Sequence, residues 1–568
     1  MIYFLLIWVF LGFSSYLLGI LILQICFSQG LKRIGDRVII AVWLGVIFLA
    51  NLFLATALIM PLSFPTGMII ILSCSFLCLL SPTVRQEIIT LKSRLSLNFL
   101  LPILTLTWGV ALLTTTQVTW SESGAYHYSA MRWLSEFGVV PGLVLILKNL
   151  GITSSWFAFI APFNGSIVAF RAGAVANSFL FLVMLGHLYL SFWRGIRRKA
   201  HLCDGFAISF NSLLLLYLAS SQEMQSILVS LSPDWPIALS IGMTAWAILL
   251  TRDSSVIVIK PSILKQQLSF LPLLLGVGAV TIKLSALPLL FITGIFYGWY
   301  ERKSMGRLIE GILVVVILLL PMILVGLWTS GCPLYPSSLL CLDVPWSQSL
   351  EETQNFAAET SNLENWFGQP SAGENPVLWL ITQWITARLL NLVMMILAVL
   401  SLGCLICLSK MLWKPSLKGG IWVSGLGVLG IMFIFLQGPL IRFGLGYLLI
   451  LPALLLAIFL KRQFILKNDK LIKLSKSKKK WKFLGILGIF LGSMMIIGLN
   501  KPNFLLPSPF PNQALIKKQV NDVIYFKPLD GGCWASVLPC RRSRSPIKLR
   551  KPALGIKGGF VNTQQTSP

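Results

Sequence analysis

The sequence predicts an all-α polytopic membrane protein with about 12–14 transmembrane helices at roughly 20 residues per crossing. Three observations carry this. Of 568 residues, 56% are hydrophobic and only 11% charged, against about 25% charged in a soluble domain. Mean hydropathy is +0.82. Residues 38–84 hold no Asp, Glu, Lys or Arg, enough chain to cross a bilayer twice. A soluble globular enzyme is excluded. A net charge of +27 often signals nucleic acid. Here the basic residues sit mostly in short loops between apolar runs, so the bilayer accounts for them and no nucleic-acid partner is expected.

Fourteen apolar runs follow in order, near residues 2–28, 38–59, 63–81, 98–115, 172–193, 205–220, 236–250, 267–280, 284–300, 308–328, 376–409, 421–437, 443–460 and 483–499. The first lacks a basic lead-in and a small-residue cleavage site, and Lys32 and Arg33 follow it. It reads as a retained span with its N-terminus outside. The inner loops are then 29–37, 82–97, 194–204, 251–266, 301–307, 410–420 and 461–482, which carry 29 of the 46 Lys and Arg. The outer loop 329–375 has none, but holds Asp343, Glu351, Glu352, Glu359, Glu364 and Glu374. This asymmetry is the positive-inside pattern.

Residues 1–499 thus form a transmembrane domain with two long outer loops, 116–171 and 329–375, and a basic inner loop, 461–482. The run 467–482 suits anionic lipid headgroups. Residues 500–568 form a non-spanning outer segment despite eleven Lys and Arg against two Asp, because long segments translocate largely regardless of charge. The alternative is that 483–499 only dips into the bilayer. Of ten Cys, Cys332, Cys341, Cys533 and Cys540 lie outside the spans and are the disulfide candidates. With three His in the chain, no metal site and no cofactor are expected. The acids of 329–375 show no tight pattern for a divalent cation.

The densest polar cluster is WSESGAYHYSAMRWLSEFGVVPG, residues 120–142. Tyr126, Ala130, Trp133, Leu134 and Phe137 recur at helical spacing, with His127, Tyr128, Arg132, Ser135 and Glu136 opposite. This predicts an amphipathic helix along the outer surface. Glu122 precedes it where the fourth span emerges. Beside Tyr126 and His127, a carboxylate there suits proton abstraction from a hydroxyl. A helix-start acid and an Arg132–Glu136 pair account for the same residues. Both readings stay open on spacing alone. Gly331-Cys332-Pro333-Leu334-Tyr335-Pro336 ends the tenth span, either as a rigid exit or as a turn shaping a cleft with Tyr335.

The run E-S-G-A-Y-H-Y-S-A-M-R-W-L-S-E-F-G-V-V-P-G-L resembles an acid-x-G-x-Y-H…W…E-[FY]-G-V-V-P-G-L segment of a cyanobacteria-rich family of multi-pass membrane proteins. S-G-C-P-L-Y-P-S at 330–337, C-W-x-x-x-L-P-C at 533–540 and L-G-I-K-G-G-F at 554–560 are similar to later signatures of that family. In layout the family resembles the C-type (GT-C) glycosyltransferase superfamily, which takes sugars from polyprenyl phosphate. The resemblance implies a catalytic acid at Glu122, where relatives commonly carry Asp. It departs at V-L-I-L-K-N-L-G, 144–151, where relatives are more polar.

The expectation is therefore a glycosyltransferase in a bacterial inner membrane, both termini outside. It would move a sugar from a lipid-linked donor to an envelope acceptor on the outer side. Glu122 and His127 would be catalytic, and Tyr126 and Tyr335 would shape the substrate site. Arg171, Arg388, Arg442 and Lys283, at or near outer span ends, would bind the donor phosphate. Interfacial snorkelling equally explains Arg171 and Arg442, and a span boundary Lys283. The alternatives are a transporter or flippase for a lipid-linked glycan, and a catalytically silent assembly protein.

Overall fold

The computed structural model describes residues 1–27, 31–94, 97–253, 268–371, 373–412, 417, 419–466, 506–510, 514–529, 532–541 and 546–563. The span expected at 483–499 and the basic run 467–482 lie outside these. Among the described residues, nine helices are long and apolar enough to cross a membrane. Phe64–Leu80 and Pro82–Arg94, bent by 92°, together make a tenth candidate. Every other predicted span falls on a helix, but several, such as Phe270–Ile282, are short.

One predicted span is really two helices. Residues 376–409 split into Pro376–Ala387 and Leu389–Leu412, with Arg388 extended between them at φ −150° and ψ 139°. The break leaves the Trp384 carbonyl without the Arg388 N–H that a continuous helix would offer. The Asn391 side-chain amide donates to it instead at 2.7 Å. The first helix has only 12 residues, short of the roughly 20 a crossing takes, and the candidate span begins at Leu389, so 376–387 is not part of a span.

The centre is the Asp234–Arg252 helix, whose residues are buried almost throughout. By contrast, the Met305–Ser330 helix leaves Ile312, Ile317 and Leu324 exposed toward lipid. The first two helices pack backbone to backbone. A Cβ on Gly19 would lie 1.7 Å from the Ala41 carbonyl oxygen, and one on Gly45 would lie 1.9 Å from that of Ser15. Small residues at such crossings are what permit close approach in membranes. Gly45→Val is expected to cost at least the upper end of the ~1–3 kcal/mol typical of overpacking, since backbone cannot yield as a side chain does. Size-exclusion profiles in detergent should show loss of folded protein, whereas Gly294→Ala, with open space around it, should leave the profile unchanged.

Contacts gather three of the predicted inner loops together. On one face, Arg33 bonds Asp36 at 2.5 Å and Asp204 at 2.6 Å, while Arg194 bonds the same two acids at 2.6 and 2.8 Å. Both carboxylates are fully buried, and the ring joins loops 29–37 and 194–204. Arg37 reaches Glu87 of the next such loop at 2.8 Å.

On the other face, the C-terminal segment is stitched to both long loops. Trp534 N–H donates to the Gly124 carbonyl at 2.8 Å, Phe560 N–H to Pro141 at 3.0 Å and Asn562 N–H to Pro345 at 3.3 Å. Two antiparallel hairpins, Leu515–Val520 with Val523–Pro528 and Ile547–Leu549 with Phe560–Asn562, shape this segment. Disulfides join Cys332 to Cys341 and Cys533 to Cys540. Trp133, Val140, Tyr335, Phe356 and Phe560 share a small second core here.

That arrangement corrects the surface helix expected from 125 to 137. A π-turn, Ser123–His127, leads into the helix Tyr128–Glu136. Much of its polar face is buried as well as its apolar one, because the C-terminal segment covers Tyr128 and Arg132, while Glu136 stays exposed. Arg132 donates to the Ala535 carbonyl at 2.8 Å and to that of Ser536, and it pairs with Glu136 at 2.5 Å. Phe510 packs on Tyr128 with ring centroids 4.7 Å apart.

Candidate active site

Four predicted outer connections converge on one charged cluster. Glu122 opens the π-turn after the helix Leu97–Thr114. Asp234 is the first residue of the central helix, where an acid suits the dipole. Lys283 ends the helix Phe270–Ile282. Arg442 is the second residue of the helix Ile441–Leu466, which restarts after Gly438-Pro439.

Arg442 holds a Glu122 carboxylate oxygen at 2.5 Å and stands 3.9 Å from Asp234. Lys283 forms a very close ion pair with the other Asp234 oxygen. Asp234 is 1% exposed and Glu122 29% exposed. The cluster is therefore rooted in the bundle and opens at Glu122. Two acids balance two cations. Phe443 carries both cations on its ring, Lys283 at 3.8 Å and Arg442 at 4.8 Å from the centroid, and Arg442 also lies 5.0 Å from the Trp120 ring. The negative face of an aromatic ring attracts both kinds of cation.

A chain of buried amides and hydroxyls positions Asp234. Trp156 donates its indole N–H to the Asn177 side-chain oxygen at 2.9 Å. The Asn177 amide nitrogen then donates to the carbonyls of Ile227, Ser230 and Ser232 at 2.9–3.1 Å. Ser232 in turn donates to Asp234 at 3.2 Å. The loop ahead of the central helix is thus clamped by residues from two others.

His127 lies beneath Glu122, with Nε2 at 3.8 Å from its second oxygen and Nδ1 at 3.4 Å from the Ser123 hydroxyl. It is fully buried between the rings of Tyr126 and Phe157. Burial, helped by Lys283 and Arg442 against the pull of Asp234, lowers its pKa to about 3. Burial, reinforced by the Glu122 charge, pushes the Tyr126 phenol well up. Glu223 on the short helix Gln222–Leu228 also has a raised pKa, first through burial, with Arg442 and Arg388 opposing and Asp234 and Glu122 adding to it.

A neutral buried His makes the fold lose stability in acid. The unfolded chain takes up this proton below the ordinary value of 6.5, whereas the folded one does not until about pH 3. Stability present above pH 6.5 is therefore lost as pH falls through that window. From pH 7 to pH 5 the loss from this residue is about 2 kcal/mol at 1.36 kcal/mol per unit. Thermal unfolding at both pH values should show a smaller acid penalty in His127→Gln than in the parent.

Of the residues singled out from sequence, the structure brings Glu122, Tyr126, His127, Lys283 and Arg442 together. Arg388 is exposed at the helix break, and among the described residues its charge is felt only by Glu223. Arg171 turns toward the C-terminal segment, donating to the Pro507 carbonyl at 3.4 Å. Tyr335 belongs to the second core, where it stacks on Phe356 at 5.6 Å and donates to Gln348 at 3.2 Å. Sequence reasoning passed over Asp234, which in S-P-D-W-P looks like an ordinary helix-start acid. Glu223, part-buried on its short helix, was likewise not singled out. No local signal announces partners 49 residues away, as for Lys283. Among the described residues, no three His, Cys, Asp or Glu side chains are grouped to hold a metal ion.

A family model described as Domain of unknown function (DUF8201) matches residues 1–449, a stretch that includes every charged residue of the cluster. No curated protein and no solved structure matches the chain.

Proposed function

The chain belongs to the DUF8201 family, and on that premise we propose that it is a membrane glycosyltransferase. It moves a sugar from a polyprenyl-phosphate donor to an envelope acceptor on the outer side. The observation that carries the reading is a half-open carboxylate, Glu122, held by a cation at the convergence of four span ends. A lipid-borne phosphate presents its sugar at that level of the bilayer.

In this reading Glu122 takes the proton of an acceptor hydroxyl as its oxygen attacks the anomeric carbon. The phosphate leaves with the electron pair of the broken C–O bond, toward Arg442, Lys283 and the exposed Arg388. Asp234 fixes the first two cations, so they need not reorganise as charge develops. His127, neutral and buried, lies beneath Glu122 with its Nε2 3.8 Å away and without a hydrogen-bond partner among the described residues. The indole N–H of Trp120 and the Nε of Arg442 are buried with no hydrogen-bond partner among the described residues, which suits a polar ligand beside Glu122. The sequence resemblance to C-type transferases points the same way.

The test is full-length protein in proteoliposomes with polyprenyl-phosphate hexose labelled in the sugar, plus an envelope extract as acceptor. Label moving to the extract with release of polyprenyl phosphate supports transfer. Movement of intact donor between leaflets without release would favour a flippase.

A further inference from the structure

The loop 331–342 is closed by the Cys332–Cys341 disulfide and by a 2.8 Å hydrogen bond from Leu342 N–H to the Gly331 carbonyl. It is therefore rigid, yet it presents three leucines outward. Leu339 is 68% exposed, Leu340 81% and Leu342 54%. Leu340 is also held at φ +60°, a conformation that side chains other than Gly, Asn and Asp rarely adopt. Strain kept at the apex of a stapled loop, where it points an apolar side chain away from the protein, calls for a ligand that rewards the exposure.

We infer that this loop is a wedge seated in the lipid leaflet on the side of the candidate site, at the boundary of hydrocarbon and headgroups. Depth is the first argument. From Gly311 to Ser330 the preceding helix has no charged residue. At ~1.5 Å per residue those positions span about 30 Å, one hydrocarbon thickness. Gly331 therefore stands at the hydrocarbon edge, and the leucines lie beside it. Continuity is the second. The lipid-facing side of that helix ends in Trp328, whose ring is 5.6 Å from that of Trp346, with the Arg550 guanidinium 4.7 Å above Trp346. Aromatic rings with a cation at this level are the mark of a bilayer interface.

Charge is the third argument. Residues 331–342 contain no charged side chain, so nothing within the loop opposes its entry into hydrocarbon. The neighbouring Tyr335 packs against Phe356 and close to Gly151. A seated wedge thereby sets the height of both long loops above the bilayer.

The experiment places a benzophenone amino acid at position 340 of the full chain, in nanodiscs of phosphatidylethanolamine and phosphatidylglycerol. After irradiation, mass spectrometry of the loop peptide should show phospholipid adducts at least tenfold above a control at Glu351, on an acidic helix start. The same probe at Leu342 reads the loop if the first variant fails to fold. Adducts to protein, from a second copy or another chain, would overturn the wedge. Lipid adducts no more frequent than at Glu351 would overturn it as well.

Discussion

Glu122→Gln is expected to lower sugar transfer by about 10²–10⁴-fold, the usual worth of a general base, with the protein still folded. The substitution keeps shape and an oxygen that accepts from Arg442, now bonded at 2.5 Å, but removes the site for the proton. Stability should change little, because Glu122 is part-exposed and the Gln amide oxygen can still accept from Arg442. The loss should fall on kcat, with KM for the labelled donor within a few fold. Glu136→Gln is the matched control. It lies on the same segment and breaks a comparable pair with Arg132, yet it does not face the cluster, so transfer should persist. Equal losses in both variants would point to folding and not to chemistry.

The largest effect on stability is expected at Asp234. Replacing it by Leu leaves Lys283 facing the bundle and strips Arg442 of one carboxylate. Uncompensated charges in such a setting cost about 3–5 kcal/mol. A domain whose total stability is only about 5–15 kcal/mol would show this as sharply reduced yield and an early thermal transition in detergent. Pairing the change with Lys283→Met should recover most of the loss, because an apolar pair of similar volume is often neutral in place of a buried ion pair. The same double variant should remain unable to transfer sugar. Recovery of stability without recovery of activity would separate the pair's structural role from its charge.

Hydropathy and charge made most of the bundle legible, because the bilayer demands about twenty apolar residues per crossing and sorts Lys and Arg to one side. The ring of Arg33, Asp36, Arg194 and Asp204 and the Arg37–Glu87 pair gather loops that the count had placed together. What failed was anything decided by distant chain. The break at Arg388 rests on Asn391 and Trp384 and leaves hydropathy unchanged. The helix at 128–136 has a perfectly good amphipathic pattern, but its polar face meets Ala535 and Ser536, about 400 residues later. The site was half visible for the same reason. Glu122 and His127 announced themselves in one dense motif, and Arg442 and Lys283 as charges at span ends. Asp234, which ties them together, looked like any first-turn acid.

The cover over that helix carries an implication for biogenesis. Gly124 and Arg132 receive their partners from residues 534–536, which emerge long after the first spans are threaded. Until they arrive, a buried guanidinium lacks two of its acceptors and the acid-bearing turn is unbraced. Bracing of the Glu122 turn thus waits on chain made about 400 residues later, and a product truncated before residue 534 would leave that turn and the Arg132 guanidinium without these partners. Closure of the turn is in this way tied to docking of the segment around residues 534–536.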